Sequence, residues 1–176
     1  MPATAIARDT APGPVTPVAD RPRMPREYGV PKSTKGLMDW SVVERRLGDA
    51  RVYWVATCGP DGQPRVRPLD GVWMDGALYV GGSPETRWVR DLRANPRASV
   101  HLDDGSDVAI LEGTVEFPDG LAGDDAGRLA SASNAKYGYG MTEESYLGPG
   151  VIVIRPRMAF AWKAFPRDMT RFRFEG

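Results

Sequence analysis

Residues 51–82 read RVYWVATCGPDGQPRVRPLDGVWMDGALYVGG, and the fold is decided here. Three runs rich in β-branched and aromatic residues, 51–58, 64–74 and 77–82, predict strands. Asp61-Gly62 separates the first two and Asp75-Gly76 the last two. Both dipeptides tolerate the positive φ values of a tight hairpin, so both predict antiparallel reversals. Outward from this stretch, residues 98–102 and 107–117 form another pair across Asp104-Gly105, and 151–162 and 169–174 close the chain. Helices are few. Asp39 can cap one that runs through Leu47, with Trp40, Val43 and Leu47 on one face and Gly48 as its stop. A second runs from Ser83 to about Ala94, ahead of Pro96. An alanine-rich third covers about residues 120–136, with Leu121, Ala122, Ala126 and Leu129 as its apolar stripe, and Thr142 opens a short helical turn. Six or seven strands with few helices between them predict an antiparallel barrel.

Residues 1–35 contrast with this regularity. Seven prolines there deny the chain a helix or a central strand, and large apolar side chains are sparse. The segment reads as a tail or arm whose second half is basic (Arg21, Arg23, Arg26, Lys32, Lys35), ahead of one domain over residues 36–176. The whole chain has 23 basic and 23 acidic residues, a balance that supplies no field for nucleic acid or a membrane surface. No apolar run reaches the roughly 18 residues of a membrane span. Residues 1–20 lack the apolar centre of a secretory signal, so the expectation is a soluble cytoplasmic protein. Cys58 and His101 are each alone in the sequence, which excludes an internal disulfide and a multi-histidine or cysteine-cluster metal site.

Two neighbouring elements carry candidate chemistry. In Gly81-Gly82-Ser83-Pro84-Glu85-Thr86-Arg87 a strand ends in glycines that permit close backbone approach. Ser83 is placed as N-cap and Pro84 as first helical residue, so free N–H groups and the helix dipole would favour an anion. Ser83 and Thr86 add hydroxyls, and Arg87 adds a planar fork suited to phosphate. In Arg65-Val66-Arg67-Pro68-Leu69-Asp70, the two-residue period puts both arginines on one strand face, where they repel unless solvent or an anion lies against them. Each element has an ordinary reading, a capped helix or a solvated strand. Their proximity through the Asp75-Gly76 hairpin raises the anion-site reading for both. Two weaker candidates are Lys136, Tyr137 and Tyr139, able to cover a planar ring, and Trp162 at a strand end beside Lys163. His101 and Cys58 read as inert, and no pair of carboxylates stands out as acid and base; no catalytic residue is assigned.

Tyr53-Trp54-Val55-Ala56-Thr57, Asp61-Gly62-Gln63-Pro64, Arg67-Pro68-Leu69, Gly71-Val72-Trp73, the helix start at Ser83 to Arg87, Asn95-Pro96-Arg97 and Glu112-Gly113-Thr114 occur in that order. This ordered set resembles the pyridoxamine 5'-phosphate oxidase-like superfamily, over about residues 39–174. The resemblance implies a mainly β, six-stranded antiparallel split barrel that forms a homodimer and binds FMN, or alternatively the deazaflavin coenzyme F-420, at the subunit interface. It implies cofactor contacts from Arg65, Arg67, Pro68, Leu69, Gly82, Ser83, Thr86 and Arg87, with Lys136, Tyr137 and Trp162 as further positions. The chain departs from true pyridoxamine phosphate oxidases at Asp70, where they carry apolar residues and a lysine, and at its final residues Arg171-Phe172-Arg173-Phe174-Glu175-Gly176, where they carry a substrate motif. Vitamin B6 oxidation is therefore not expected.

The leading expectation is an FMN- or F-420-dependent oxidoreductase acting on a small molecule, with hydride chemistry supplied by the cofactor. The alternative is a non-catalytic flavin- or haem-binding module, in which His101 would be the only imidazole available. A dimer is also motivated by Trp54, Trp73 and Trp88, expected on an exposed strand system too apolar to leave wet.

Overall fold

The computed structural model describes residues 16–175, which form nine strands and three α-helices in a mainly β split barrel. The elements are β1 (Val18–Asp20), α1 (Trp40–Asp49), β2 (Tyr53–Cys58), β3 (Pro64–Leu69), β4 (Val72–Met74), β5 (Ala77–Gly81), α2 (Arg87–Ala94), β6 (Arg97–His101), β7 (Val108–Glu116), α3 (Gly123–Tyr137), β8 (Val151–Trp162) and β9 (Thr170–Arg173). Every strand pair is antiparallel, in the order β1-β9-β8-β7-β6-β2-β3. The twelve-residue β8 does double duty, pairing at its start with β5 and near its end with β9. The β4–β5 hairpin turns at Asp75 (φ 51°) and Gly76 (φ 74°), the left-handed pair its two-residue loop requires.

Two differences from the sequence expectation raise the strand count. The run 64–74 breaks into β3 and β4 at Asp70-Gly71, itself an Asp-Gly dipeptide. A methyl at Gly71 would lie 2.9 Å from Leu78 Cδ1 and 3.0 Å from the Tyr79 carbonyl oxygen, so the chain crosses tightly there. β3 and β4 do not pair with each other, and this break is the seam of the barrel. The second difference is β1. Within the segment read as a tail, Val18–Asp20 pairs with β9, and Asp20 Oδ1 lies 2.7 Å from Arg171 Nε. Arg21 donates to the carbonyls of Ser33, Lys35 and Met169, so it is occupied rather than free. Prolines still exclude a central strand, and β1 lies at the edge. The part of the expected tail over residues 1–15 lies outside the described residues.

The interior follows the predicted periodicities. Trp40, Val43 and Leu47 of α1 are buried, and Asp39 Oδ1 accepts the Ser41 N–H at 2.9 Å as the helix cap. The helix runs past Gly48 to Asp49. Tyr53, Val55, Val100, Leu111, Ile152, Ile154 and Phe172 fill the barrel, and the Trp40 ring meets Phe172 and Phe174 edge-on. Of the three tryptophans expected on an exposed face, Trp88 is buried and Trp73 packs against Trp40; only Trp54 remains on the outer sheet face. There it neighbours His101, Ile110 and Phe160 along one row of the sheet. No helix among the described residues is long and apolar enough to cross a membrane.

Candidate functional site

The seam between β3 and β4 opens into a groove of about 480 Å³. Pro68, Leu69, Asp70, Gly71 and Val72 form one wall, Tyr79 to Gly81 a second, and α3 with the segment after it a third, through Leu129, Ser133, Tyr137, Tyr139 and Met141. Tyr146 and Val151 complete it. Of the positions the resemblance implies as cofactor contacts, Pro68, Leu69 and Tyr137 line the groove. Tyr79 and Tyr146 had no local sequence signal, since one lies on a buried strand and the other in a polar turn.

Beyond the groove, the arginines of β3 divide. Arg65 is taken up internally: Nη2 lies 2.5 Å from Asp61 Oδ2, and Nη1 lies 3.2 Å from the buried Asp91 carboxylate and 3.0 Å from the Gln63 carbonyl. Arg67 is different. Its guanidinium lies over the Trp88 ring at 5.8 Å, and its Nε is buried with no hydrogen-bond partner. Desolvation is the main cause holding this guanidinium below its ordinary pKa, with repulsion from Arg65 adding to it and Asp91 opposing. A buried donor left unpaired is costly, and an arriving acceptor would relieve it.

The strand-to-helix turn departs from the expectation. The helix begins at Arg87, with Thr86 at the N-cap position, because the Thr86 N–H and hydroxyl both donate to the Ser83 carbonyl, at 3.0 and 2.7 Å, closing a turn first. Ser83 is therefore not the cap; its hydroxyl accepts the Glu85 N–H at 3.3 Å. No side chain caps α2, so its first N–H groups are free of side-chain acceptors. Arg87 is exposed and lies 3.2 Å from Asp61, which it shares with Arg65. The hydrogen bond from Arg65 is the largest cause pulling Asp61 down to about 2. Gly82 also has a different role. A methyl there would lie 2.8 Å from Trp88 Cη2 and 2.9 Å from Val89 Cγ2, so Gly82 lets α2 dock on the strand, whereas Gly81 faces open space on the groove.

Lys136 does not line the groove; it stands behind it. Its Nζ donates to the Tyr53 hydroxyl at 2.9 Å and to the Gly71 carbonyl at 3.1 Å. The Tyr137 hydroxyl lies 2.9 Å from both the N–H and the carbonyl oxygen of Gly71. Together they clamp the peptide at the seam. Burial, aided by the nearby Arg51 charge, lowers the Lys136 pKa to about 8. Trp162 does not line the groove. It pairs with Val108 and meets Phe165 edge-on, while the groove takes Val151 from the opposite end of the same strand. Eleven residue-to-residue steps of extended chain separate the two ends, roughly 36 Å at about 3.3 Å per step. Among the described residues no group of three or more histidine, cysteine or acidic side chains is arranged to hold a metal ion.

A family profile for pyridoxamine 5'-phosphate oxidase matches residues 41–163. No curated protein matches the chain at significant similarity. Among solved structures, the conserved protein Rv2991 from Mycobacterium tuberculosis superposes with a TM-score of 0.61 at 20% identity, covering 74% of this chain and 88% of that one. An F420 reductase gives a TM-score of 0.50 at 22% identity, covering 65% and 94%. A heme binding protein from Mycobacterium smegmatis gives 0.57 at 20% identity, covering 74% and 56%. At these identities the structural likenesses establish the fold.

Proposed function

Because the chain belongs to the pyridoxamine 5'-phosphate oxidase family, we propose that it binds a phosphate-bearing flavin-type cofactor, FMN or alternatively F-420, and acts as an oxidoreductase on a small molecule. The observation that carries this reading is the buried, unpartnered Arg67 Nε. It sits beside the uncapped start of α2 and on the strand whose next residues enter the groove. These residues fit a phosphate: Arg67 would hold it from the strand, with Thr86, Arg87 and the first N–H groups of α2 holding it from the helix. Ser83 is exposed, and its hydroxyl, which accepts the Glu85 N–H, keeps its own proton free to donate. The bound cofactor would supply hydride transfer, and the chain's part is to seat and orient it. Lys136 and Tyr137 are positioning residues in this scheme, fixing the Gly71 peptide at the groove wall. Arg65 acts through Asp61 and Asp91, keeping the surrounding loop in place.

A homodimer and a cytoplasmic location belong to the same proposal. The row of Trp54, Ile110 and Phe160, with exposed Val66 beside it, is an apolar outer face suited to a second copy. Trp162 would then reach a cofactor only from the partner subunit. A haem reading is not favoured, since His101 lies on this outer face stacked on Trp54 and does not line the groove.

The test is titration of FMN and F-420 into cofactor-free protein at fixed salt. Arg67→Ala weakens binding by roughly 10- to 100-fold, the scale of a hydrogen bond to a charged group. Arg87→Ala weakens it by roughly tenfold, and Arg87→Lys recovers part of the loss. Arg93, whose guanidinium lies over Phe117 at 4.6 Å, is the control. Equal behaviour of Arg67→Ala and Arg93→Ala for both ligands places the phosphate elsewhere.

A further inference from the structure

The groove has a charge pattern that bears on what it takes. Four tyrosines line it, Tyr79, Tyr137, Tyr139 and Tyr146, together with aliphatic side chains, and Asp70 is the one charged residue in the lining. Neither lysine nor arginine does. Asp70 makes no ion pair among the described residues; its partner is the Tyr139 hydroxyl, which donates to Oδ2. Tyr139 is exposed and lies flat on Tyr137, ring centroids 5.1 Å apart and planes 10° from parallel. Arg51 and Lys136 lie over the Tyr137 ring, 5.2 and 5.7 Å from its centroid, and neither lines the groove.

We propose that the groove admits a planar aromatic substrate carrying a positive charge or an N–H donor toward Asp70, and selects against anionic ones. This rests on the cofactor reading for the word substrate, and on the groove alone for the charge preference. The volume suits a ring system of two or three rings, and tyrosine walls offer π faces that attract a cation. The Asp70 carboxylate gives the donor its direction. Tyr139 is the competitor. A ligand's N–H group replaces the phenol on Oδ2, and the freed Tyr139 ring still has the stacked position over Tyr137. Hydrogen bonding to this carboxylate is also the first cause holding the Tyr139 phenol above its ordinary pKa. An anionic ligand would meet the same carboxylate with no lysine or arginine in the lining to neutralise it.

The experiment uses the full chain, free of cofactor, and three probes of one shape: 2-naphthamidine, 2-naphthamide and 2-naphthoate. Calorimetric titration gives affinities, and amide shifts at Gly71 and Tyr139 report the location. The expected order is amidine, amide, naphthoate, with roughly fivefold between steps, the scale of a solvent-exposed ion pair. Asp70→Asn brings amidine and amide within about twofold of each other on the same scale. Tyr139→Phe, which removes the competitor at an exposed position, raises amidine affinity. Naphthoate binding as tightly as the amidine overturns the proposal, as does an unchanged order in Asp70→Asn or a loss of amidine affinity in Tyr139→Phe. A second arm repeats the amidine titration with saturating FMN or F-420. Retained binding supports a substrate site, and displacement makes the groove the cofactor's own and overturns the substrate assignment. If neither cofactor binds, the cofactor reading fails while the probe order still decides the charge preference.

Discussion

Gly82→Ala tests the packing on which the whole site depends. The added methyl would lie 2.8 Å from Trp88 Cη2 and 2.9 Å from Val89 Cγ2, both on the buried face of α2. Carbon atoms in ordinary contact sit about 3.5–4.0 Å apart, and Trp88 Cζ2 is closer still, so α2 or the Trp88 ring must recede by about 1 Å or more. Trp88 is 5% exposed and Val89 1%, which leaves neither an easy direction to move. Overpacking of this kind costs about 1–3 kcal/mol. For a domain of this size each kcal/mol lowers Tm by about 2–4 °C, so a mid-range cost of about 2 kcal/mol predicts a fall of about 4–8 °C. Trp88 also carries the Arg67 guanidinium on its face, so cofactor affinity should fall with stability. Gly81→Ala is the paired control. Nothing lies within 4 Å of its added methyl, and its Tm should stay within about 1 °C of wild type, the scale of a surface substitution. Thermal melts followed by far-ultraviolet circular dichroism measure both. Trp88→Phe in the Gly82→Ala background should restore part of the loss by removing the opposed ring edge. A Gly82→Ala protein melting with wild type, or a Gly81→Ala protein that loses more, refutes the assignment of Gly82 to helix docking and Gly81 to the groove.

Lys136 should make stability rise with pH. Its folded pKa of about 8 lies below the ordinary 10.5, so between these values the unfolded chain binds the extra proton and unfolding is increasingly disfavoured as pH climbs. Wild type should gain Tm relative to Lys136→Met between pH 7 and pH 10; a flat or falling difference contradicts the shift. The outer sheet face supplies another test: Phe160→Asp, at a half-buried position beside Ile110, should convert dimer to monomer in sedimentation equilibrium while the fold is kept. A wild-type protein that is monomeric across the micromolar range removes the dimer from the proposal.

Much of the architecture was legible from local chemistry. Alternation in residues 53–58 and the Asp75-Gly76 pair specify a strand and a two-residue turn within a few residues, and Asp39 with Trp40, Val43 and Leu47 specifies α1. Pro68, Leu69 and Tyr137 are implied by the family resemblance, and they meet at one groove only because the run 64–74 breaks at Asp70-Gly71. Other features depend on contacts between residues far apart in sequence. Arg65 and Arg67 are indistinguishable by period, yet Asp61, Gln63 and, from α2, Asp91 occupy the first while the other's Nε is left unpaired. Two adjacent glycines look alike until α2 packs on one of them. Lys136 reads locally as a side chain able to cover a planar ring, and it is a clamp because Tyr53 and Gly71, 83 and 65 residues away, lie within its reach. β1 exists because β9 offers an open edge and Arg171 a partner for Asp20, neither of which residues 18–20 can announce. Trp162 is remote from the groove because β8 spans the barrel, bonding β5 at its start and β9 near its end. Backbone conformation is a short-range property that neighbouring side chains decide; which charge is satisfied and which face is covered is settled only when distant segments meet.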